Sequence, residues 1–357
     1  MTKEKIEVYC IKIRKRLTCM RRTMKNEKTI SIKELAEISK VSIATVSRVI
    51  NKKGGYSKET EKKILKLIES KSYQQNVNAR SLRTKKSQTI GVIVPDISNE
   101  FFAKIVQSVE KQAIKYNYSV FVCNTDENIE IEKRQLNNLV GQFVDGIIYI
   151  GGGVEIENNS RIAKIPMIYI DRYIDDKEIY IESDNFHGGY LAAQELIQSG
   201  CKKIAIMKDV RKISSAYKRY LGFLKALKDY EIEFDKKLLC DITIISHKEA
   251  KEKTLELLDS GEVFDGIFAT NDTMALGIML ALNERRIKIP SEVKLVGFDN
   301  ISSCEIAGVP LTTINQNKQR MGELAVELLM DKIMLRKSNV KNIKVPVNLI
   351  RRKSTES

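Results

Sequence analysis

Ser31-Ile32-Lys33-Glu34-Leu35-Ala36 and, after a break at Ser39-Lys40-Val41, Ser42-Ile43-Ala44-Thr45-Val46-Ser47-Arg48-Val49-Ile50-Asn51 decide how this chain is read. Ser31 with Glu34 three residues on is a capping box: the hydroxyl takes one orphan amide of the first helical turn while the carboxylate reaches back to another. Leu35, Ala36 and Ile38 form the apolar face of that helix. Ser42 is a second N-cap, ahead of Val46, Val49 and Ile50 at the i, i+3, i+4 spacing of one helical stripe. Asn51-Lys52-Lys53-Gly54-Gly55-Tyr56 reads as a loop, and Ser57 caps a third helix whose Ile64, Leu65 and Ile68 face inward. Two helices joined by a three-residue turn, with a third to close a small core, fit a helix-turn-helix over residues 29–74.

The charge distribution points the same way. Residues 1–86 carry 24 Lys and Arg against 8 acidic residues, whereas the rest of the 357-residue chain carries 37 against 38. A small basic module on a near-neutral body is suited to phosphates, those of nucleic acid or of an anionic membrane surface. No apolar run approaches the ~18 residues of a membrane span, and charges every few residues from Met1 to Cys19 leave no secretory segment. The expectation is a cytoplasmic protein with no membrane partner. Residues 1–28 are basic and without amphipathic order, and are expected to be disordered or not translated, with Met24 after Arg21-Arg22 as an alternative start.

Beyond Ser87 short apolar runs alternate with helical periodicity: Thr89–Val94, Tyr118–Cys123, Gly146–Ile150, Pro166–Ile170, Lys203–Met207, Asp265–Ala269 and Val293–Phe298. Strands that are apolar throughout and separated by helices belong to parallel sheets buried on both faces. Seven such units exceed one comfortable sheet, so an α/β core of two Rossmann-like lobes facing a cleft is expected over 88–357. Lobe 1 is read as about 88–182 plus 293–320, and lobe 2 as about 183–292 plus 321–357.

Enzyme chemistry finds little support. Cys10, Cys19, Cys123, Cys201, Cys240 and Cys304 show no metal or disulfide spacing, and the only two histidines, His187 and His247, stand beside no nucleophile signature. There is no phosphate-cradling G-x-x-x-x-G-K-[ST], and Gly151-Gly152-Gly153 lacks the spaced third glycine of a dinucleotide fingerprint. Neither a cofactor nor a metal is expected.

Thr29 to Ala36 with Val41 to Asn51 resembles the DNA-binding head of the lactose/galactose repressor family of bacterial transcriptional regulators. Tyr73, Asn76 and Ala79-Arg80-Ser81-Leu82 resemble that family's hinge, and Gly91 to Asn99 with Phe101-Phe102 the opening of its core, which is of periplasmic-binding-protein type. Asn185 with Gly188-Gly189, Arg219 with Gly222-Phe223, Ala269 to Gly277, Val296 to Asp299 and Pro310 to Ile314 follow in the family's order. Two departures stand out: Lys40 where the family usually has Gly in the turn, and Gln75 where it has Pro in the hinge.

The resemblance implies a homodimeric repressor on a palindromic double-stranded operator, switched by a small molecule, a sugar or sugar derivative, bound between the lobes. It implies that Ile43, Ala44, Ser47 and Arg48 reach base edges in the major groove, Arg48 by pairing with a guanine. Ser31, Ser42, Thr45, Asn51, Ser57 and Thr60 then contact phosphates. The hinge helix, 75–87, places Asn76, Ala79, Arg80 and the wedge Leu82 in the minor groove. Arg219 and Asp272 lead the effector-binding set, with Asn99, Phe101, Phe102, Asp171, Arg172, Asn185, Ser215 and Phe298. Asn271 or Asp272 also fits a helix cap. Three other readings stay open: a carbon-catabolite-type regulator that docks a phosphorylated carrier protein on clusters such as Arg285-Arg286, a sugar-binding transport protein, and an enzyme on the same scaffold.

Overall fold

The capping box closes around α1, Ile32–Ser39: Glu34 N–H donates to Ser31 Oγ at 3.2 Å and Ser31 N–H to Glu34 Oε2 at 2.7 Å. The helix stops at Lys40, whose φ of 55° puts it in the left-handed region, so the turn is made without the glycine that adopts that region at no steric cost. Ser42 caps α2, Ile43–Ile50, through Thr45 N–H, and Ser57 caps α3, Lys58–Ser70, through Thr60 N–H. Leu35, Ala36, Val46, Val49 and Ile64 make the core of this unit. Ile38 and Leu65, expected inward, lie about half exposed. Each is one residue, or 100° of helical turn, off the buried stripe, and Ser39 turns inward instead, its hydroxyl bonded to Leu35 O at 2.6 Å.

The computed structural model describes residues 30–71, 73, 86–150, 162–171, 179–210, 214–336 and 342–356, and it divides into two compact units, 1–85 and 86–357. The amino-terminal extension, Gln75 and the hinge residues Asn76, Ala79, Arg80 and Leu82 lie outside the described residues.

In the second unit the chain runs through β1 (Thr89–Val94), α4 (Glu100–Lys115), β2 (Ser119–Asn124), α5 (Ile129–Gly141), β3 (Gly146–Tyr149), β4 (Met167–Ile170) and β5 (Tyr180–Ser183), then crosses to a second lobe. There follow α6 (Asn185–Gln198), β6 (Ile204–Asp209), α7 (Ser214–Asp229), β7 (Leu239–Ile242), α8 (His247–Asp259), β8 (Gly266–Ala269), α9 (Asp272–Glu284), β9 (Lys294–Asp299), α10 (Ser303–Ile306) and β10 (Thr312–Gln316). The chain returns to lobe 1 for α11 (Lys318–Ile333) and β11 (Asn342–Val345), and Pro346 alone separates these from β12 (Val347–Ile350) in lobe 2. The two sheets have the orders β11-β5-β4-β3-β1-β2 and β12-β10-β9-β8-β6-β7, parallel except for β10 with β12.

This corrects the expected division of the lobes. Residues 293–316 stay in lobe 2, because β9 extends that sheet from β8 in the register Gly266↔Lys294, and β10 pairs with β9. Helix α11 belongs to lobe 1, where Met321, Ala325, Val326 and Leu329 join the core of Ile90, Val92 and Ile148. An apolar run announces a strand but not the sheet it joins. Several motif glycines have packing reasons: a Cβ on Gly189 would lie 2.0 Å from Arg219 O, and one on Gly222 1.9 Å from Phe186 O, where α6 and α7 touch. No helix among the described residues is long and apolar enough to cross a membrane.

Candidate functional site

Arg219, near the start of α7 and only 6% exposed, anchors the space between the lobes. Its Nε donates to Asn185 Oδ1 at 2.8 Å and its Nη1 to Thr270 O at 2.7 Å, while its guanidinium carbon lies 3.7 Å from the centre of the Phe298 ring. Nη1 is also 3.7 Å from Asp299 Oδ1, a carboxylate oxygen that accepts from Gln316 Nε2 at 2.5 Å. A buried charge needs such pairing. Burial, opposed by Arg219, pushes the Asp299 carboxyl up to about 7, and the charge of Asp272 adds to the rise.

Arg219, Thr270 and Asp299 line a cavity of about 560 Å³ whose lobe 1 wall holds Asp96, Asn99, Phe101, Phe102, Asp126, Glu127 and Asp171. Its lobe 2 wall holds Asp209, Ser215, Arg219, Ile244, Thr270, Asn271, Met274 and Asp299 with their neighbours. Phe101 and Phe102 meet edge to face with centroids 5.2 Å apart, and serve both the lobe 1 core and the cavity wall. Asp299 has a φ of 122°, a conformation that a non-glycine residue keeps only where surrounding structure enforces it.

Of the expected effector residues, the structure brings Asn99, Phe101, Phe102, Asp171, Ser215 and Arg219 to the cavity. Asn185 and Phe298 stand behind Arg219, and Arg172 lies outside the described residues. Asp272, expected to lead the set, is not at the wall. It is fully buried, accepting from Thr313 Oγ1 at 2.6 Å and from Ile301 N–H at 3.0 Å, so it braces the loop after β9. Asn271 caps α9 through Met274 N–H and also lines the cavity; one residue later the helix has turned the side chain inward. Burial raises the Asp272 carboxyl, against hydrogen bonds that lower it.

Sequence reasoning passed over most of the acids. Asp96, Asp126, Asp171, Asp209 and Asp299 stand at, or one or two residues beyond, the carboxyl ends of β1, β2, β4, β6 and β9. Parallel strands present their ligands at those ends. An aspartate at the close of β1, β2, β4, β6 and β9 was therefore the available signal.

In the amino-terminal unit, Ile43, Ala44 and Arg48 form the exposed face of α2, with Thr45 and Ser47 half-buried beside them. The Ser42 and Thr45 hydroxyls are 2.9 Å apart, as are those of Ser57 and Thr60, each pair at a helix start. Asn51 Nδ2 donates to Ser47 O at 2.7 Å, fixing the end of α2.

Residues 31–76 match the model of the bacterial regulatory proteins of the lacI family, and residues 87–353 that of the periplasmic binding proteins and sugar-binding domain of the LacI family. The chain belongs to the LacI family and is a DNA-binding transcriptional regulator with a helix-turn-helix head and a two-lobed sugar-binding-type core. It is 36% identical, over 91% of its length and 97% of the relative's, to the ribose operon repressor of Halalkalibacterium halodurans. Its structure is similar to the lac repressor dimer bound to operator and an anti-inducer, with a TM-score of 0.84 at 26% identity over 92% of this chain and all of that one. A LacI-family regulator from Enterococcus faecium with bound ribose is similar at 32% identity and a TM-score of 0.68, over 74% of this chain and 98% of that one.

Proposed function

We propose that this protein is a cytoplasmic, homodimeric repressor of a palindromic operator, released or engaged by a free pentose such as ribose held between its lobes, and that it catalyses no reaction. The observation that carries the ligand class is the charge of the cavity. Six acidic side chains (Asp96, Asp126, Glu127, Asp171, Asp209 and Asp299, the last about half protonated near pH 7) face it with one guanidinium, that of Arg219, among the described residues. Such a wall repels a phosphate and accepts hydrogen bonds from sugar hydroxyls. Arg219, Asn271 and Asp299 would hold hydroxyls, and Phe101 and Phe102 the C–H face of the ring. The relatives with ribose in their names support this reading.

On DNA, the exposed Ile43, Ala44 and Arg48, with Ser47, would read base edges, and Ser31, Ser42, Thr45, Asn51, Ser57 and Thr60 would meet phosphates, leaving the minor groove to Asn76, Ala79, Arg80 and Leu82. Homodimerisation is supported by the edge of β2, where Phe121 and Val122 are nearly half exposed and, among the described residues, only β1 is paired. A carrier-protein site at Arg285 is disfavoured, because its Nη2 already bonds both oxygens of Asp259 at 2.6 and 2.7 Å.

Thermal unfolding against ribose, other pentoses, ribose 5-phosphate and nucleobases tests the ligand class, since a ligand at 100 times its Kd adds roughly 2.7 kcal/mol. A free pentose is expected to raise the melting temperature and to change operator affinity. A shift with the phosphate alone, or with a nucleobase alone, would replace this reading.

A further inference from the structure

A second cavity, of about 660 Å³, shares a partition with the cleft. Asn99, Phe101 and Phe102 line the cleft while Glu100, between them, lines the second cavity. On the facing lobe, Asp299 lines the cleft and Asn300, the next residue, lines the second cavity. At this partition the lobes are bonded to each other. Glu100 Oε2, at the first residue of α4 in lobe 1, accepts from Ser302 N–H at 2.9 Å and from Ser302 Oγ at 2.6 Å in lobe 2. Lys318 Nζ, at the first residue of α11 in lobe 1, donates to the carbonyl oxygens of Asp299 and, at 3.0 Å, of Asn300.

We propose that Glu100 and Lys318 are positioning residues of the effector response: they hold the lobe 1 wall of the cleft against the strand end that carries Asp299, and so set effector affinity without touching the effector. A carboxylate fixed at Glu100 fixes the first turn of α4, whose next residues are the two cleft phenylalanines. An ammonium fixed on the Asp299 and Asn300 carbonyls fixes the strained backbone on which the Asp299 carboxyl is mounted. Burial depresses the Lys318 ammonium, and the charges of Asp299, Asp272 and Glu100 oppose that, so the two bonds also support each other electrostatically. Two walls already tied to each other need less ordering when ligand arrives.

The inference rests on the pentose reading for its ligand, and the test separates the two. Ribose binding to the full chain is measured by calorimetry for wild type, Glu100→Ala, Glu100→Gln and Ser302→Ala. Loss of the charge-assisted pair in Glu100→Ala is expected to weaken ribose about tenfold, with Glu100→Gln, which keeps an acceptor oxygen, nearer wild type. The melting temperature without ligand should stay close to that of wild type. Unchanged affinity in Glu100→Ala overturns the proposal, and so does tighter binding, which would mean that the bond resists closure. If wild type ignores ribose, the pentose reading fails and the positioning role is read without ligand, from amide exchange at Phe101 and Ile301. Neither amide bonds to Glu100: they donate to Asn99 Oδ1 and Asp272 Oδ2. Faster exchange at both in Glu100→Ala supports the role, and unchanged exchange overturns it.

Discussion

The two lobes present the same kind of edge to the cleft, the carboxyl ends of parallel strands, yet they are built to different tolerances. In lobe 2, Arg219 is fixed by Asn185, Thr270 O, Phe298 and Asp299, and Asp272 beneath them braces the next loop, all of it buried. In lobe 1, Asp126 and Glu127 stand exposed on the loop after β2. A wall whose hydrogen bonds are already made is pre-organised for its ligand, whereas an exposed loop adjusts to it. On the proposed reading, lobe 2 would anchor the effector and this loop of lobe 1 would accommodate it.

The sharpest way to break that contrast is Arg219→Ala. It removes the central cation and leaves Asn185, Thr270 O and Asp299 without their partner, a loss of order 3 kcal/mol for a buried network. Effector affinity should fall on the order of a hundredfold, while operator binding by the folded fraction persists. Calorimetry and a denaturant curve read both, and an affinity within threefold of wild type would show that lobe 2 is no anchor.

Asp272→Asn comes next. Its bonds to Thr313 and Ile301 are internal to the fold, so the variant should lose roughly 1–3 kcal/mol of stability and weaken the effector less than Arg219→Ala does. Abolished binding at an unchanged melting temperature would instead put Asp272 on the ligand.

A further effect on lobe 2 is read by pH. The Asp299 carboxyl sits at about 7 in the fold, against about 3.9 for an unfolded aspartate. Its folded-state pKa is raised, so its contribution to stability is complete below the unfolded value and is lost as pH rises through 7. Ligand-free stability should thus decline from pH 5 to pH 8, and Asp299→Asn should reduce that slope; an identical slope in the variant would assign it to other groups.

What was legible in the chain follows from how local the chemistry is. The helices of the head could be read locally because Ser31, Ser42 and Ser57 act on amides three residues away. Seven apolar strands announced themselves, but β5, β7, β10, β11 and β12 did not, and β10 shows why. Thr312, Thr313 and Gln316 are buried polar residues bonded to Ser354, Asp272 and Asp299, partners far along the chain. The same non-locality hid Asp299 and promoted Asp272, since a single helical step decides which of two neighbouring side chains meets the cleft. Pro346, a one-residue link between sheets, left the last crossing unreadable from pattern.

The smallest expected effect is the most discriminating for lobe 1. Asp126→Asn and Glu127→Gln remove exposed charges from a loop, where solvent screens them and substitutions shift stability by about 0.5 kcal/mol or less. Effector affinity should change by no more than about threefold in either variant. The two charges also repel anions at the cavity mouth, so the double variant should gain more for ribose 5-phosphate than it loses for ribose. A tenfold loss of ribose affinity from either single change would move the anchor to lobe 1, because an exposed loop carboxylate has that effect only if closure buries it against the ligand.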